Sequence, residues 1–507
     1  MPDTASAPAG VGLRSERGPV LGAIMLSTAL IALDSTVLAT AVPSIVEDLG
    51  GFSQFPWLFS VYLLTQAVTV PVYGKLADVV GRKPVMVFGI VVFVLASVLC
   101  GLAWSMPALI VARGLQGIGA GAVQPMGITI IGDLYSVEER SRVQGYVASV
   151  WGGAAVLGPA LGGLFSEYVS WRWIFFVNVP LGAVALFALH RRFAEHVVPR
   201  TRRPVDYSGT ALLTLGCSLL ILGLLEGGNA WGWRSAASAA VLGGSVLALA
   251  AFVAVERRAA DPVLPLWVFR RRVLVGGNLT ALGIGVLLIG LSSYVPTYVQ
   301  GVLGTGAVEA GLALGALTIG WPIAAALAGR VYLRIGFRDT ALVGVALVIG
   351  GSLLTVLLLA DSPVWAVAGA MFVTGTGMGL VSSPTVVAVQ SVVDWERRGV
   401  VTGTNMFCRA MGSAVGAALT GAVANATLAD RFASPSAAVQ GGLPADVDSA
   451  SLALTSDDPG VVAFVRSALF DASHHVFLGL LAVALLLAVA IALMPRRTSP
   501  LQLPDRA

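Results

Sequence analysis

The sequence predicts an all-α membrane protein, with fourteen transmembrane helices in two six-helix pseudo-repeat bundles and two further helices inserted between them. Three observations predict it. Hydrophobic residues are 56% of the 507 and charged ones only 11%, against roughly 25% charged in soluble domains. Apolar runs of about 20 residues, the length that crosses a bilayer, recur from end to end. Finally, motifs of the first six runs return in weaker form in the last six.

The runs fall at 20–42, 55–74, 84–103, 106–132, 143–165, 173–190, 207–225, 236–255, 273–299, 308–329, 340–360, 363–390, 400–424 and 475–494. The first is longer than a signal-peptide core and reads as an uncleaved span. Of the 31 Lys and Arg residues, only Arg172, Arg234, Arg431 and Arg466 fall on one side of this arrangement. Arg113 and Arg409 lie inside runs, and the rest sit in the tails and alternate loops of the opposite side. That asymmetry is the positive-inside signature, which puts both termini on the cytoplasmic side of the inner membrane. The net charge of +4 then suits loops facing an anionic leaflet better than nucleic acid. Cys100, Cys217 and Cys408 lie within apolar runs and imply no disulfide framework.

The expected organisation is a cytoplasmic tail (1–19), a first six-helix bundle (20–192) and a linker with two inserted spans (193–258). A second bundle (259–494) and a tail (495–507) follow. Residues 425–474, rich in Ala, Ser, Asp and Gly, are expected as a long extracellular loop.

The stretch from Gly74 to Pro84 reads as a tight hairpin between spans 2 and 3, and it holds both lysines of the chain. Gly81 can take the positive φ of a tight turn. Gly329 and Gly336 repeat the Gly74 to Gly81 spacing, again with basic residues around the turn. Gly117, Gly119, Gly121 and Pro125 in span 4 are echoed by Gly375, Gly377, Gly379 and Pro384 in span 12. Repeated halves suit a transporter that rocks about a midplane site.

Asp34 is the one acid deep inside a span. Such a group is costly in lipid and calls for a partner; Arg113 lies at matching depth. Burial raises a carboxyl pKa and a cation lowers it, so a carboxyl between those pulls can bind and release a proton. A static ion pair is the alternative. Asp78 is placed to face the positive N-terminal end of span 13 near Gly399, and Arg82 to pair with Asp133. Together with Gly74 and Gly81 these form a latch that breaks when the halves part. In span 5, Gly158, Pro159, Gly162 and Gly163 combine close helix approach with a bend. Arg409, in span 13, has no acid at matching depth. Tyr62, Gln66, Gln116, Tyr294, Tyr298, Met378, Asn405 and Arg409 are the candidates for a substrate cavity. No catalytic constellation, metal-ligand spacing or Walker motif appears, so the chain reads as no enzyme, with no cofactor beyond protons as coupling ion.

Together these residues resemble the major facilitator superfamily, and within it the fourteen-span drug–proton antiporter branch. Gly74 to Pro84 resembles the superfamily's loop between spans 2 and 3. Arg113-Gly114-Leu115-Gln116-Gly117 resembles its span-4 arginine motif, and Gly158-Pro159 with Gly162-Gly163 its antiporter motif. Leu33-Asp34-Ser35-Thr36-Val37 with Pro43, Trp171 to Pro180, and Asp206-Tyr207-Ser208-Gly209 resemble marks of the branch. Ala39 stands where that branch usually carries an asparagine.

The resemblance implies that Asp34 and Arg113 couple protons and that span 5 favours antiport. The chain is therefore expected to be a monomeric multidrug exporter driven by the proton motive force, of the kind that confers antibiotic resistance. Its partners would be a lipophilic small molecule, protons and membrane lipids. With one deep acid, lipophilic monocations, neutral compounds and zwitterions fit better than dications. A dedicated exporter of one natural product, siderophore or lipid-like compound is the alternative, and a non-transporting sensor is the remote one.

Overall fold

The computed structural model describes residues 12–50, 57–193, 195, 206–227, 231–259, 262, 264–433 and 458–496. The first half contributes α1 (Gly18–Leu49), α2 (Trp57–Val80), α3 (Arg82–Gly101), α4 (Met106–Leu134), α5 (Val137–Tyr168), α6 (Trp173–Phe176) and α7 (Asn178–Arg192). Next come α8 (Tyr207–Glu226) and α9 (Ala236–Glu256). The second half contributes α10 (Arg272–Thr297), α11 (Ala307–Ile335), α12 (Phe337–Val356), α13 (Val364–Ser391), α14 (Arg398–Ala433) and α15 (Pro459–Ala492). Among the described residues no sheet forms, only an isolated bridge between Gly227 and Trp231. Twelve helices there are long and apolar enough to cross a membrane. α5 and α8 are not among the twelve, and α8 contributes only a short apolar stretch, Ser208–Leu224.

Local chemistry sets the helix ends. Ser136 and Glu139 form a capping box at the start of α5, which satisfies two orphan backbone donors reciprocally. Asp206 caps α8, its Oδ1 accepting from Gly209 N at 2.8 Å and Ser208 Oγ at 2.7 Å. Burial pushes the Asp206 pKa up, but these hydrogen bonds prevail and it lies below its ordinary value. Glu256, at the end of α9 and beside Asp206, accepts from Leu264 N at 2.5 Å, tying α9 to the segment leading into α10. Asp206→Ala should therefore destabilise the protein by about 1 kcal/mol, read as a lowered Tm in detergent, with Asp206→Asn close to wild type.

Small residues let the helices close on one another. A Cβ on Gly412 would lie 2.0 Å from Leu282 O, and one on Gly285 2.1 Å from Arg409 O, so α10 and α14 touch through backbone. The same holds for α11 and α13 at Gly375, 2.2 Å from Leu317 O. The two largest apolar cores are separate. One is built on α1 to α5 and α7, around Ile24, Ile90, Phe93 and Met126. The other is built on α10 to α15, around Leu287, Val345, Met371 and Phe477.

The structure departs from the sequence reading in three places. The tight hairpin expected over 74–84 is shorter still: α2 runs helically to Val80, α3 starts at Arg82, and Gly81 alone turns the chain, at the expected positive φ of 103°. Gly336 turns the chain between α11 and α12 in the same way, at φ 90°. α14 and α15 extend to Ala433 and from Pro459, deep into the stretch expected as a loop over 425–474; only 434–457 lie outside the described residues. The helices persist there because Ala424, Leu428, Val461 and Val465 bury into the second core. The run at 173–190 is two helices, broken at Val177.

Candidate functional site

Asp34 sits near the middle of α1 and is 2% exposed. Its Oδ2 accepts from Arg113 Nη1 of α4 at 2.6 Å. Its Oδ1 accepts from Gln116 Nε2 at 2.7 Å and from Asn178 Nδ2 of α7 at 3.3 Å. Arg113 is also satisfied: Nε donates to Leu58 O at 3.1 Å, Nη1 also reaches Gln116 Oε1 at 2.6 Å, and the guanidinium lies 4.3 Å from the centre of the Tyr62 ring. Ser97 Oγ of α3 accepts from Gln116 Nε2 at 2.9 Å and Asn178 Nδ2 at 3.3 Å. Five helices thus converge on one carboxylate, and a charge so buried survives only when paired and hydrogen-bonded. Two polar atoms beside it, Tyr62 Oη and Asn178 Oδ1, are buried without a hydrogen-bond partner among the described residues.

This network lies inside the first half, not between the halves. Its route outward is α1 itself. Thr36, two residues on, donates Oγ1 to Ala154 O of α5 at 3.0 Å, and a Cβ on Gly158 would lie 2.1 Å from Thr36 Oγ1. α5 then meets α11 of the second half, where a Cβ on Gly145 would lie 2.5 Å from Ala326 Cβ. Asp34 is therefore one helix away from the seam between halves. Gly162 is buried and Gly163 has open space around it. The side chains of Pro159, Pro43 and Ala39 lie outside the described ones.

At the end of the bundle bearing the basic loops, Asp78 crosses the seam. Its Oδ1 accepts from Gly399 N at 3.0 Å and its Oδ2 from Val400 N at 2.8 Å, at the N-terminus of α14. Arg82 Nη2 donates to Asp78 Oδ1 at 3.0 Å and to Trp395 O at 2.6 Å, with its guanidinium 3.7 Å from the Trp395 ring centre. Arg82 Nε lies 3.1 Å from Asp133 Oδ2, and Arg398 Nη1 donates to Asp133 Oδ1 at 3.0 Å. Gly74 serves packing, not turning: a Cβ there would lie 2.7 Å from Gly399 O. Gln390 Nε2 reaches Ile128 O at 3.3 Å, and Tyr332 Oη donates to Val137 O. Both bonds tie the halves together.

The cavity candidates divide. Gln116 belongs to the Asp34 network and Tyr62 covers Arg113, so neither lines a space between the halves. Tyr298 and Met378 are packed in the second core, with Tyr298 against Phe470 and Phe477 and donating to Leu359 O at 2.5 Å. Both side chains thus face the core of their own half. Tyr294 is half-buried against the same core. Asn405 donates to Gly277 O at 2.9 Å and lines a narrow gap with Ile128, Gln390, Thr402 and Met406. Gln66 donates to Gln124 Oε1 at 3.3 Å. Arg409 is half-buried.

Sequence reasoning missed Ser97, Asn178, Glu195, Trp395 and Arg398. Glu195 accepts from Arg82 N and Lys83 N, both at 2.8 Å, and so caps α3 from a loop far along the chain. Asn178 offered a signal, as an amide between Val177 and Val179 in an apolar run. A single serine in such a run offers none.

Residues 24–417 match the family described as the Major Facilitator Superfamily. The chain is 34% identical over 417 residues to multidrug transporter protein MdtP of Bacillus subtilis, across 82% of this chain and 76% of that protein. It is 35% identical over 405 residues to multidrug resistance protein 3 of the same organism, across 80% and 78%. Efflux pump FUS6 of Gibberella moniliformis is 30% identical over 411 residues, across 80% and 73%. The crystal structure of the human organic anion transporter MFSD10 (TETRAN) matches at TM-score 0.63 with 16% identity, across 94% of this chain and 99% of that one, a likeness of fold alone.

Proposed function

The chain belongs to the Major Facilitator Superfamily, and on that premise we propose that it is a proton-driven antiporter exporting lipophilic compounds by alternating access, in its fourteen-span drug–proton branch. It is a multi-pass membrane transporter of small molecules, with relatives named for multidrug transport and efflux. On this reading α5 and α8 also cross the bilayer, α8 and α9 are the inserted pair, and the bundles run over 20–192 and 259–494. The basic end and both termini face the cytoplasm, and the working unit is a monomer.

One observation carries the coupling: a lone deep carboxylate, fully satisfied by Arg113, Gln116 and Asn178, on the helix that packs on α5. Protonating Asp34 removes the charge that holds Arg113, and α1 then loses its grip on α4. The Thr36–Gly158 seam transmits the change to α5 and so to α11. Because Asp34 lies within one half, proton and cargo exchange through the position of α1 rather than by competing for one side chain. With Asp78 and Arg82 engaged across the seam, this conformation is the one closed to the cytoplasm. A membrane potential near 150 mV supplies roughly 3.5 kcal/mol per proton, enough for a few-hundredfold gradient.

Efflux from reconstituted vesicles, with a chemically diverse panel and with or without an imposed proton gradient, tests this reading. Gradient-dependent export of several unrelated lipophiles is expected. Export of one compound alone would favour a dedicated exporter, and no flux under any gradient would overturn transport coupled to protons.

A further inference from the structure

α14 has three faces with different tasks. Toward α2 and α8 it presents Gly403, Phe407 and Met411. Toward α10 it presents Asn405, Gly412 and Gly416. Thr402, Met406 and Arg409 share the remaining stripe at helical spacing. Thr402 accepts from Gln390, and Met406 faces the gap at Ile128 of the first half. Arg409 continues that stripe, eleven residues and about 16 Å beyond Arg398, well past the latch.

Across the seam α2 runs antiparallel to α14: Gly74 meets Gly399, while Ala67 packs with Met411. Gln66 and its partner Gln124, both half-buried, therefore lie level with Arg409. Arg409 is thus set at the level of two neutral amides. Among the described residues the Arg409 guanidinium has no hydrogen bond, ion pair or aromatic face, and no charged group acts on it. Arg82, Arg113 and Arg398, by contrast, are each paired with an acid. Asp34 cannot serve Arg409, because its two oxygens are taken inside the first half. An ionisable group at membrane depth points to a functional partner, and here the described residues supply none.

We propose that Arg409 docks an anionic group of the cargo, so that the exported class includes lipophilic carboxylates and zwitterions bound through a carboxylate. The guanidinium fork matches a carboxylate in two parallel hydrogen bonds, and the half-buried Gln66–Gln124 amides at the same level offer further polar groups. This shifts the expected cargo away from monocations, which would meet an unpaired positive charge. The inference rests on the transport reading, but binding can be measured without transport.

The test pairs pyrenebutyrate with pyrenebutyramide, equal in body and different in charge. Binding is followed by fluorescence titration of the full-length protein in micelles free of anionic lipid. Wild type should bind the acid more tightly than the amide. Arg409→Gln should weaken the acid by about 10- to 100-fold, the scale of a charged hydrogen bond, and leave the amide unchanged. Arg409→Lys should restore part of the loss, since a point charge remains. Equal loss of both ligands in Arg409→Gln, or no acid preference in wild type, overturns the proposal. Displacement of the acid by added phosphatidylglycerol would assign the site to a lipid phosphate and overturn it as a cargo site. Acid-selective binding that depends on Arg409, with no gradient-driven flux, would sink the exporter reading and uphold this one.

Discussion

Arg113→Ala should abolish concentrative export and lower the yield of folded protein. The guanidinium serves Asp34, Gln116 and Leu58 O at once, and its removal leaves a carboxylate 2% exposed without its cation. Breaking a buried pair from one side costs about 3–5 kcal/mol, a large fraction of ordinary stability. Arg113→Lys should not rescue transport, because an ammonium cannot span three partners in the planar fork geometry. The double variant Asp34→Asn/Arg113→Gln should recover thermal stability while staying inactive, since the uncompensated charge has gone. Tm and gradient-driven efflux, measured side by side, separate the two effects. If Arg113→Ala exports normally, the network is a structural pair and nothing more.

Asp78→Ala should open the basic end of the bundle. That carboxylate accepts from two backbone donors of α14 and, within its own half, from Arg82, so its loss strips the seam of two charge-assisted bonds and leaves Arg82 with Asp133 alone for ionic partner. Even about 2 kcal/mol of lost preference changes a two-state ratio about thirtyfold. Spin labels at Arg142 and Arg334, both exposed and on opposite halves, should report a longer mean distance than in wild type. Efflux should fall about tenfold or more, with Asp78→Asn intermediate because an amide oxygen still accepts. An unchanged distance distribution would contradict the latch.

The sequence showed this machinery wherever cost in lipid made a residue conspicuous. Asp34 and Arg113 stood out as charges at matching depth, and the structure brings them to 2.6 Å. Asp78 was matched to Gly399 because an acid near a helix N-terminus is favourable, and the backbone donors are there. Periodicity could not say which face of a helix meets which neighbour. Tyr298 and Met378 face the core of their own half, and Gln116 turns inward to Asp34. Glycine showed both of its uses: Gly81 turns the chain at positive φ, as expected, and Gly74 lets α2 close on Gly399. Ser97, Glu195 and Trp395 were invisible because their partners are distant in sequence and their residue types are common in apolar runs or loops.

If Asp34 exchanges a proton for cargo movement, removing its ability to titrate should uncouple export without stopping it. Asp34→Asn keeps the size and most of the hydrogen bonding of the side chain but cannot titrate. In proteoliposomes it should still exchange labelled for unlabelled substrate across the membrane, while failing to concentrate substrate under an imposed proton gradient. Concentration of substrate by Asp34→Asn to the wild-type level under that gradient would contradict the account.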